Sequence, residues 1–571
     1  IKISGRTEGV ENRDGKYDDW GGALFRTAVY QTYDLSVSGG TDATTYYSSL
    51  AYTSDKGRAI DNDYSRVSGR VNLNQKVGKY VELATSVNIA NTKKSGYNDT
   101  RSTGANYFMQ TRNLLWGLYW PTNYKTGDPW TARYGSYAQN TLYYRNEWEN
   151  SSKTFKVQAS EGLTIHILPE LALKSIFSYD YTNVKDHLYY SAEHFNGSSD
   201  NGSVTEMATS STKLVSSTTL NYNKTLAEKH NIGVLVGFEA EDNKTTFTRA
   251  SGTNLPTSSL HTVSTAGKLD AAGYDWGNSM VSVLSRAEYN YDAKYYASAS
   301  YRRDGSSKLS KDSRWGNFWS VAASWKISNE KFMKEINWIS NLRLRASYGV
   351  NGTLPSNNYG WRSLTGYSYK YIENPGGALS TVADKNLSWE TSYSTNAALE
   401  FGLFDQRLYG TVEFFNRDSK DLLQDVPIST ITGFGSTLKN VGEINNKGFE
   451  IEVGGDIIRN KEITWSASIS ATLMKSKVTK LYGGQDIIWD DPTGGDARAQ
   501  FIYREGQSTL AFYGYEWAGV NPTNGRQYYY SNNENKDEVV NGRNVVYDFN
   551  DASEVIIGSG IPKIYGGINT N

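Results

Sequence analysis

Cysteine is absent from this sequence of 571 residues. A disulfide framework and a thiolate metal site are both excluded. Histidine is nearly as scarce. The five are His166, His187, His194, His230 and His261, and no two stand at metal-ligand spacing. Methionine (5) and proline (10) are also rare, which favours strands over helices in a chain this rich in tyrosine. No apolar run approaches the ~18 residues of a membrane helix; Ile232 to Phe238 is among the longest. Neither sign of charge dominates. Lys and Arg number 59 against 60 Asp and Glu, so no basic footprint for nucleic acid is present. Ile1-Lys2-Ile3-Ser4 lacks the charged start and apolar core of a signal peptide, and there is no initiator Met. The sequence reads as an internal segment of a longer precursor.

What is abundant is glycine (53), tyrosine (43) and tryptophan (15), arranged with period two. From Ser282 to Val350 the alternation is plainest. Val283, Ser285, Ala287 and Tyr289 alternate with Leu284, Arg286, Glu288 and Asn290; a Tyr291-Asp292-Ala293-Lys294 turn follows. Further on, Trp319, Val321, Ala323 and Trp325 alternate with Ser320, Ala322 and Ser324, and Leu342, Leu344, Ala346 and Tyr348 with Arg343, Arg345 and Ser347. Side chains of a strand alternate between faces, so one face is apolar and the other carries Arg286, Arg302, Arg343 and Arg345. Each run is about ten residues, the span of a tilted strand crossing a bilayer. Val321, Ala323, Trp325, Leu342, Leu344 and Tyr348 are expected to face outward, and the four arginines into a barrel.

Connections alternate between short and long along the chain. Leu168-Pro169-Glu170 and Leu403-Phe404-Asp405-Gln406 are short; Asn91–Ser152, Thr182–Ser211, Asp242–Ser279, Asn351–Ser388 and Asp418–Glu443 are long excursions. An outer-membrane barrel has this asymmetry, with short periplasmic turns and long external loops. On the apolar parity, Tyr289, Tyr295, Trp325, Phe401 and Trp465 lie beside short turns, where an interfacial girdle belongs. The fold class is therefore all-β, a large antiparallel transmembrane β-barrel. Residues 1–30 read as a linker or pre-barrel segment and 31–571 as an incomplete barrel.

Several stretches resemble the SusC/RagA-like TonB-dependent outer-membrane transporters. They are Asp34-Leu-Ser-Val-Ser-Gly-Gly40 with Tyr46-Tyr47, Lys294 to Ser307, Arg314-Trp-Gly-Asn-Phe-Trp-Ser320, Leu342 to Gly352, Asn386-Leu-Ser-Trp-Glu390, Asn440 to Glu450, and Gly558-Ser-Gly-Ile-Pro-Lys563. The resemblance implies a barrel of about 22 strands in the whole protein, of which about 16 to 18 lie in this segment. The family's plug, TonB box and closing strands are missing from the sequence, so the strand near Leu35 is expected to find no partner at the C-terminal end. The resemblance further implies import of an oligosaccharide or peptide across the outer membrane. The partners it implies are a SusD-like surface lipoprotein, the TonB–ExbB–ExbD energy-coupling complex and membrane lipid, without nucleic acid.

No catalytic constellation emerges, and no cofactor is expected. Asp548-Phe-Asn-Asp551 with Glu554 is weakly like an acidic Ca²⁺ loop, but it lacks the turn glycine and reads as a solvated loop. The richest ligand candidate is the Asn91–Ser152 excursion. Trp116, Tyr119, Trp120, Trp130, Tyr143 and Trp148 offer aromatic faces suited to sugar rings or peptide side chains. The same aromatics could instead pack the loop against itself or against a partner. A barrel-based adhesin and a secreted all-β glycoside hydrolase remain the alternative functions.

Overall fold

The computed structural model describes residues 20–97, 141–372, 374–490, 500–533 and 536–571. A one-turn helix, Trp20–Leu24, precedes the first strand. Among the described residues seventeen strands form the main sheet, within the number expected from the sequence. The first six are β1 (Val29–Gly40), β2 (Thr44–Lys56), β3 (Asp63–Val77), β4 (Val81–Ser95), β5 (Trp148–Leu168) and β6 (Leu171–Tyr190). Then come β7 (Ser203–Leu226), β8 (His230–Thr253), β9 (Lys268–Tyr291), β10 (Tyr295–Ser306), β11 (Trp315–Lys326) and β12 (Ile339–Thr353). The last five are Glu390–Leu403, Leu408–Pro427, Ser436–Arg459, Thr464–Lys480 and Ile564–Thr570. The chain divides into two compact units, Ile1–Thr218 with Glu239–Asn278, and Thr219–Phe238 with Ser279–Asn571.

In the first unit β1 to β6 pair antiparallel in sequence order. One cross-strand row reads Leu35–Leu50–Gly69–Ile89–Val157–Tyr181. The row beside it, on the opposite face, reads Ser36–Ser49–Arg70–Asn88–Gln158–Asp180. Every residue of β1 is exposed.

The second unit repeats the rule over a longer span. A row Tyr289–Ala297–Ala323–Ala346–Ala397–Phe414–Phe449–Leu473–Ile564 crosses the sheet without a charged group. A row of the other face reads Arg286–Ser300–Ser320–Gly349–Ser394–Arg417–Asn446–Ser476. Val321, Ala323, Trp325, Leu342, Leu344 and Tyr348 therefore share one face, and Arg286, Arg302, Arg343 and Arg345 the other. Among the described residues nothing covers the apolar face: Leu344, Phe449 and Ile469 stay 48%, 49% and 55% exposed. In water such a face would be an aggregation surface. In a bilayer it meets lipid, and the antiparallel ladder satisfies the backbone polar groups that lipid cannot.

Tight turns with consecutive left-handed residues close two of the short connections. Asp292 and Ala293 both take φ near 52°, and Ala227 and Glu228 take 47° and 59°, the left-handed geometry whose twist matches the flanking strands. The long connections differ from the expectation, because pairing continues into segments expected to be loops. β4 runs to Ser95 and β5 starts at Trp148; β8 and β9 are each 24 residues long, and Leu408–Pro427 pairs with Ser436–Arg459 through residues placed in a loop. In the last of these pairings the register shifts at Ser419/Leu422 and again at Leu422/Leu423. Alternation then vanishes from the sequence although the hydrogen-bonded ladder goes on.

Buried apolar clusters sit where strands give way to these connections. One of them groups Leu309, Phe318, Val350, Leu387 and Trp389. It joins the stretches that carried the family resemblance. Trp389 Nε1 donates to the Arg314 carbonyl at 3.0 Å, and Phe318 meets the Trp389 ring edge-on at 5.1 Å. Asn440 clasps the backbone of Ser388, accepting from its N–H at 2.8 Å and donating to its carbonyl at 3.0 Å. Between Thr464–Lys480 and Ile564–Thr570 the chain builds two further four-stranded sheets, whose strands are too short to show a period in the sequence.

Candidate functional site

Two places on the fold carry the residues singled out by sequence. The first is the polar face of the second unit. Here Arg286 pairs with Glu288, and Arg302 Nε lies 2.6 Å from Asp304 Oδ1. Both pairs join residues two apart on one strand, which period two places side by side. Arg345 reaches across strands instead, to Glu400 at 2.8 Å and to Glu413. Arg343 differs from the other three. Its Nε donates to Ser324 Oγ at 2.6 Å and its guanidinium lies 5.4 Å from the centre of the Tyr296 ring. Among the described residues no carboxylate pairs with it. Arg343 and Arg345 line a cavity of about 700 Å³ with Glu288, Tyr296, Ser298 and Asn396.

The second place is in the first unit, among residues that include Tyr143 and Trp148. Trp116, Tyr119, Trp120 and Trp130 lie outside the described residues. Tyr143 is half-buried, with its ring edge-on to Tyr144 at 4.9 Å. Trp148 is buried; it packs with Tyr190 and tilts against Tyr97 at 5.8 Å. His194 belongs to the same cluster, stacked on Phe195 at 4.2 Å and on Tyr190 at 4.7 Å. Its side chain is fully buried, and that burial pushes its pKa down to about 3, so the imidazole is neutral. Burial, reinforced by Asp61, pushes the Tyr97 phenol up to about 12.

A neighbouring polar chain escaped the sequence reading. His187 Nδ1 lies 2.6 Å from Glu206 and its Nε2 3.1 Å from Glu149. The other oxygen of Glu149 is 3.1 Å from His261 Nδ1, and His261 Nε2 is 2.8 Å from the Ser258 carbonyl. Glu149 and His261 are far apart in sequence, and no local spacing signals their meeting. Farther along, the Asp548 carboxylate accepts from the Asn550 N–H at 2.9 Å, as a turn cap does. Among the described residues no group of three or more His, Asp or Glu could hold a metal ion.

An antiparallel wall with an uncovered apolar face, a charged opposite face, tight turns and long, folded connections defines an outer-membrane β-barrel scaffold. A family model described as TonB dependent receptor-like, beta-barrel matches residues 46–553, and the chain belongs to that family. It is 28% identical over 536 residues to the TonB-dependent receptor SusC of Bacteroides thetaiotaomicron, covering 87% of this chain and 52% of that one. With TonB-dependent receptor P3 of Formosa agariphila it shares 27% identity over 513 residues, 88% of this chain and 51% of the relative. A solved structure of the RagAB peptide transporter superposes with a TM-score of 0.83 at 26% identity, covering 98% of this chain and 62% of that chain. The chain is thus SusC/RagA-like and of the outer membrane, and it spans about half the length of the curated relatives it matches.

Proposed function

We propose that this chain is wall and external-loop structure of a TonB-dependent importer that takes up oligosaccharides or peptides together with a SusD-like surface lipoprotein. The observation that carries this reading is the two-faced wall: an uncharged row crosses nine strands on one face while arginines and carboxylates line the other. Such a wall is suited to sit in lipid and pass a polar solute. The TonB–ExbB–ExbD complex, driven by the inner-membrane proton gradient, would supply the energy. The RagAB neighbour is described as a peptide transporter, which favours short peptides as the first solutes to try. The aromatic excursion would meet ligand on the external side.

The test is uptake of labelled peptides and oligosaccharides by cells expressing the full-length protein with its lipoprotein. Uptake should stop when the proton gradient is collapsed. Uptake that persists without the gradient would contradict energy-coupled import. In the same cells Trp116→Ala, Trp120→Ala and Trp130→Ala should each weaken ligand binding by ~2 kcal/mol or more, the scale of an interface anchor. Wild-type affinity in all three, at normal surface level, would reduce that loop to packing.

A further inference from the structure

We propose that Lys93, Lys153 and Lys185 form a binding site, on the lipid-facing side of the first unit, for the phosphate groups of an outer-leaflet lipid headgroup. The inference goes beyond import and rests only on the outward sense of the apolar face. The three lysines stand directly opposite one another across β4, β5 and β6, in a row that reads Gln31–Ser54–Ser65–Lys93–Lys153–Lys185. Their parity is that of Ile89, Val157 and Tyr181, so they belong to the apolar face of the wall and not to its polar face. All three are exposed. Neighbouring Cβ atoms in such a row are about 5 Å apart, and like charges so placed repel. The row therefore destabilises the bare wall, and an anion laid over it replaces repulsion by attraction.

The height of the row selects the ligand. β4 leaves its tight turn at Val81; at a tilt of ~40° it has climbed about 21 Å at Ile89 and about 31 Å at Lys93. The apolar band of such a barrel is ~25 Å tall. Ile89 is still within it, and the lysines reach the headgroup layer at the end that carries the long, external Asn91–Ser152 connection. Between them the row Asn91–Phe155–Asn183 holds no charge. The carboxylates that follow on the external side are engaged: Asp63 lies against Arg26, and Glu149 and Glu206 against His187. Lysine meets phosphate as a point charge, so it demands no single geometry of a mobile lipid. Ser65 beside Lys93 adds a hydroxyl donor. The second unit repeats the arrangement on its own apolar face. There Lys447 stands opposite Lys475, the next outward pair after Phe449 and Leu473, and Lys477 follows on the same strand face.

The experiment titrates the full-length protein in detergent with diphosphoryl lipid A, with the same lipid stripped of its phosphates, and with inorganic tripolyphosphate. Native mass spectrometry counts what is bound. Lys447→Gln and Lys475→Gln are present throughout, so that only the first unit's row is read. This parent should hold the phosphorylated lipid about tenfold or more tightly than the stripped one, with a preference that shrinks as salt rises. One lysine near an anionic surface is worth roughly fivefold in affinity, so adding Lys93→Gln, Lys153→Gln and Lys185→Gln together should abolish the preference. Lys153→Glu is the second variant. It sets a carboxylate between two cations, so it should raise the Tm of the lipid-free protein while weakening the phosphorylated lipid. Equal binding of both lipids by the parent, or an unchanged preference in the triple variant, overturns the proposal. Tripolyphosphate bound more tightly than the lipid assigns the row to a soluble anion and overturns it as well. So does failure of both variants to fold, because relief of a repulsion unfolds nothing unless the lysines already have partners within the protein.

Discussion

Adding one methyl group at Gly352 should cost more than its size suggests. A Cβ built there would lie 2.1 Å from Phe318 Cζ, 2.3 Å from Phe318 Cε1 and 3.0 Å from Trp389 Cε3. The first two distances are far inside van der Waals contact, so the Phe318 ring must move. It has little room, because Leu309, Val350, Leu387 and Trp389 enclose it and it is only 8% exposed. Overpacking of this kind costs typically 1–3 kcal/mol, and here ~2–3 is expected because two rings are blocked together. Gly435→Ala is the control: nothing stands within 4 Å of its added Cβ. That variant should stay within ~0.5 kcal/mol of wild type. The assay is thermal unfolding of the full-length protein in detergent, followed by tryptophan fluorescence. Phe318→Leu in the Gly352→Ala background shortens the offending ring and should recover part of the loss, giving a coupling energy of ~0.5 kcal/mol or more. If Gly352→Ala and Gly435→Ala unfold at the same temperature, the cluster is not the tight junction described.

Acid should loosen the aromatic cluster around His194. Its folded pKa of about 3 lies below the ordinary value of 6.5, so its contribution is complete above pH 6.5 and erodes as pH falls towards 3. The full swing is on the order of 5 kcal/mol; hydrogen exchange in residues 187–204 should accelerate over that window in wild type and not in His194→Phe, and the same acceleration in both would refute the assignment. Arg345→Met should destabilise the full-length protein by ~1–3 kcal/mol, because it strands two partly buried carboxylates, Glu400 and Glu413. Arg286→Met, whose ion pair has both side chains more than half exposed, should cost less than ~1 kcal/mol in the same denaturation assay, and equal losses would undo the distinction.

Period two made the wall legible. The alternation at Val321–Trp325 and Leu342–Tyr348 assigns both faces, and the structure places those residues accordingly. It also held the Arg286–Glu288 and Arg302–Asp304 pairs, since residues two apart on a strand are neighbours. The Arg345 pairs were not legible, because Glu413 joins Arg345 through the register of separate strands and no local pattern encodes it. Strand ends were misplaced for a physical reason. Segments such as Asp418–Pro427 pair with their neighbour through register shifts at Ser419/Leu422 and Leu422/Leu423, which break the alternation that tells a strand from a loop. The family stretches were recognised but not explained by sequence; Gly316, Phe318, Gly352, Trp389 and Asn440 meet only in three dimensions.

The claim on which everything else depends is that one face of this wall meets lipid and the other meets water. These 571 residues contain no cysteine, and any elsewhere in the full-length protein is first replaced by serine. Single cysteines at Trp319, Val321 and Ala323, and at Ser320, Ala322 and Ser324, would each carry a nitroxide in the full-length protein in outer-membrane vesicles. Collision with oxygen, which concentrates in lipid, and with a water-soluble nickel chelate would be measured at every position. The account predicts strict alternation, with oxygen favoured at 319, 321 and 323 and nickel at 320, 322 and 324. Equal accessibility along the strand, or alternation of the opposite sense, would contradict it.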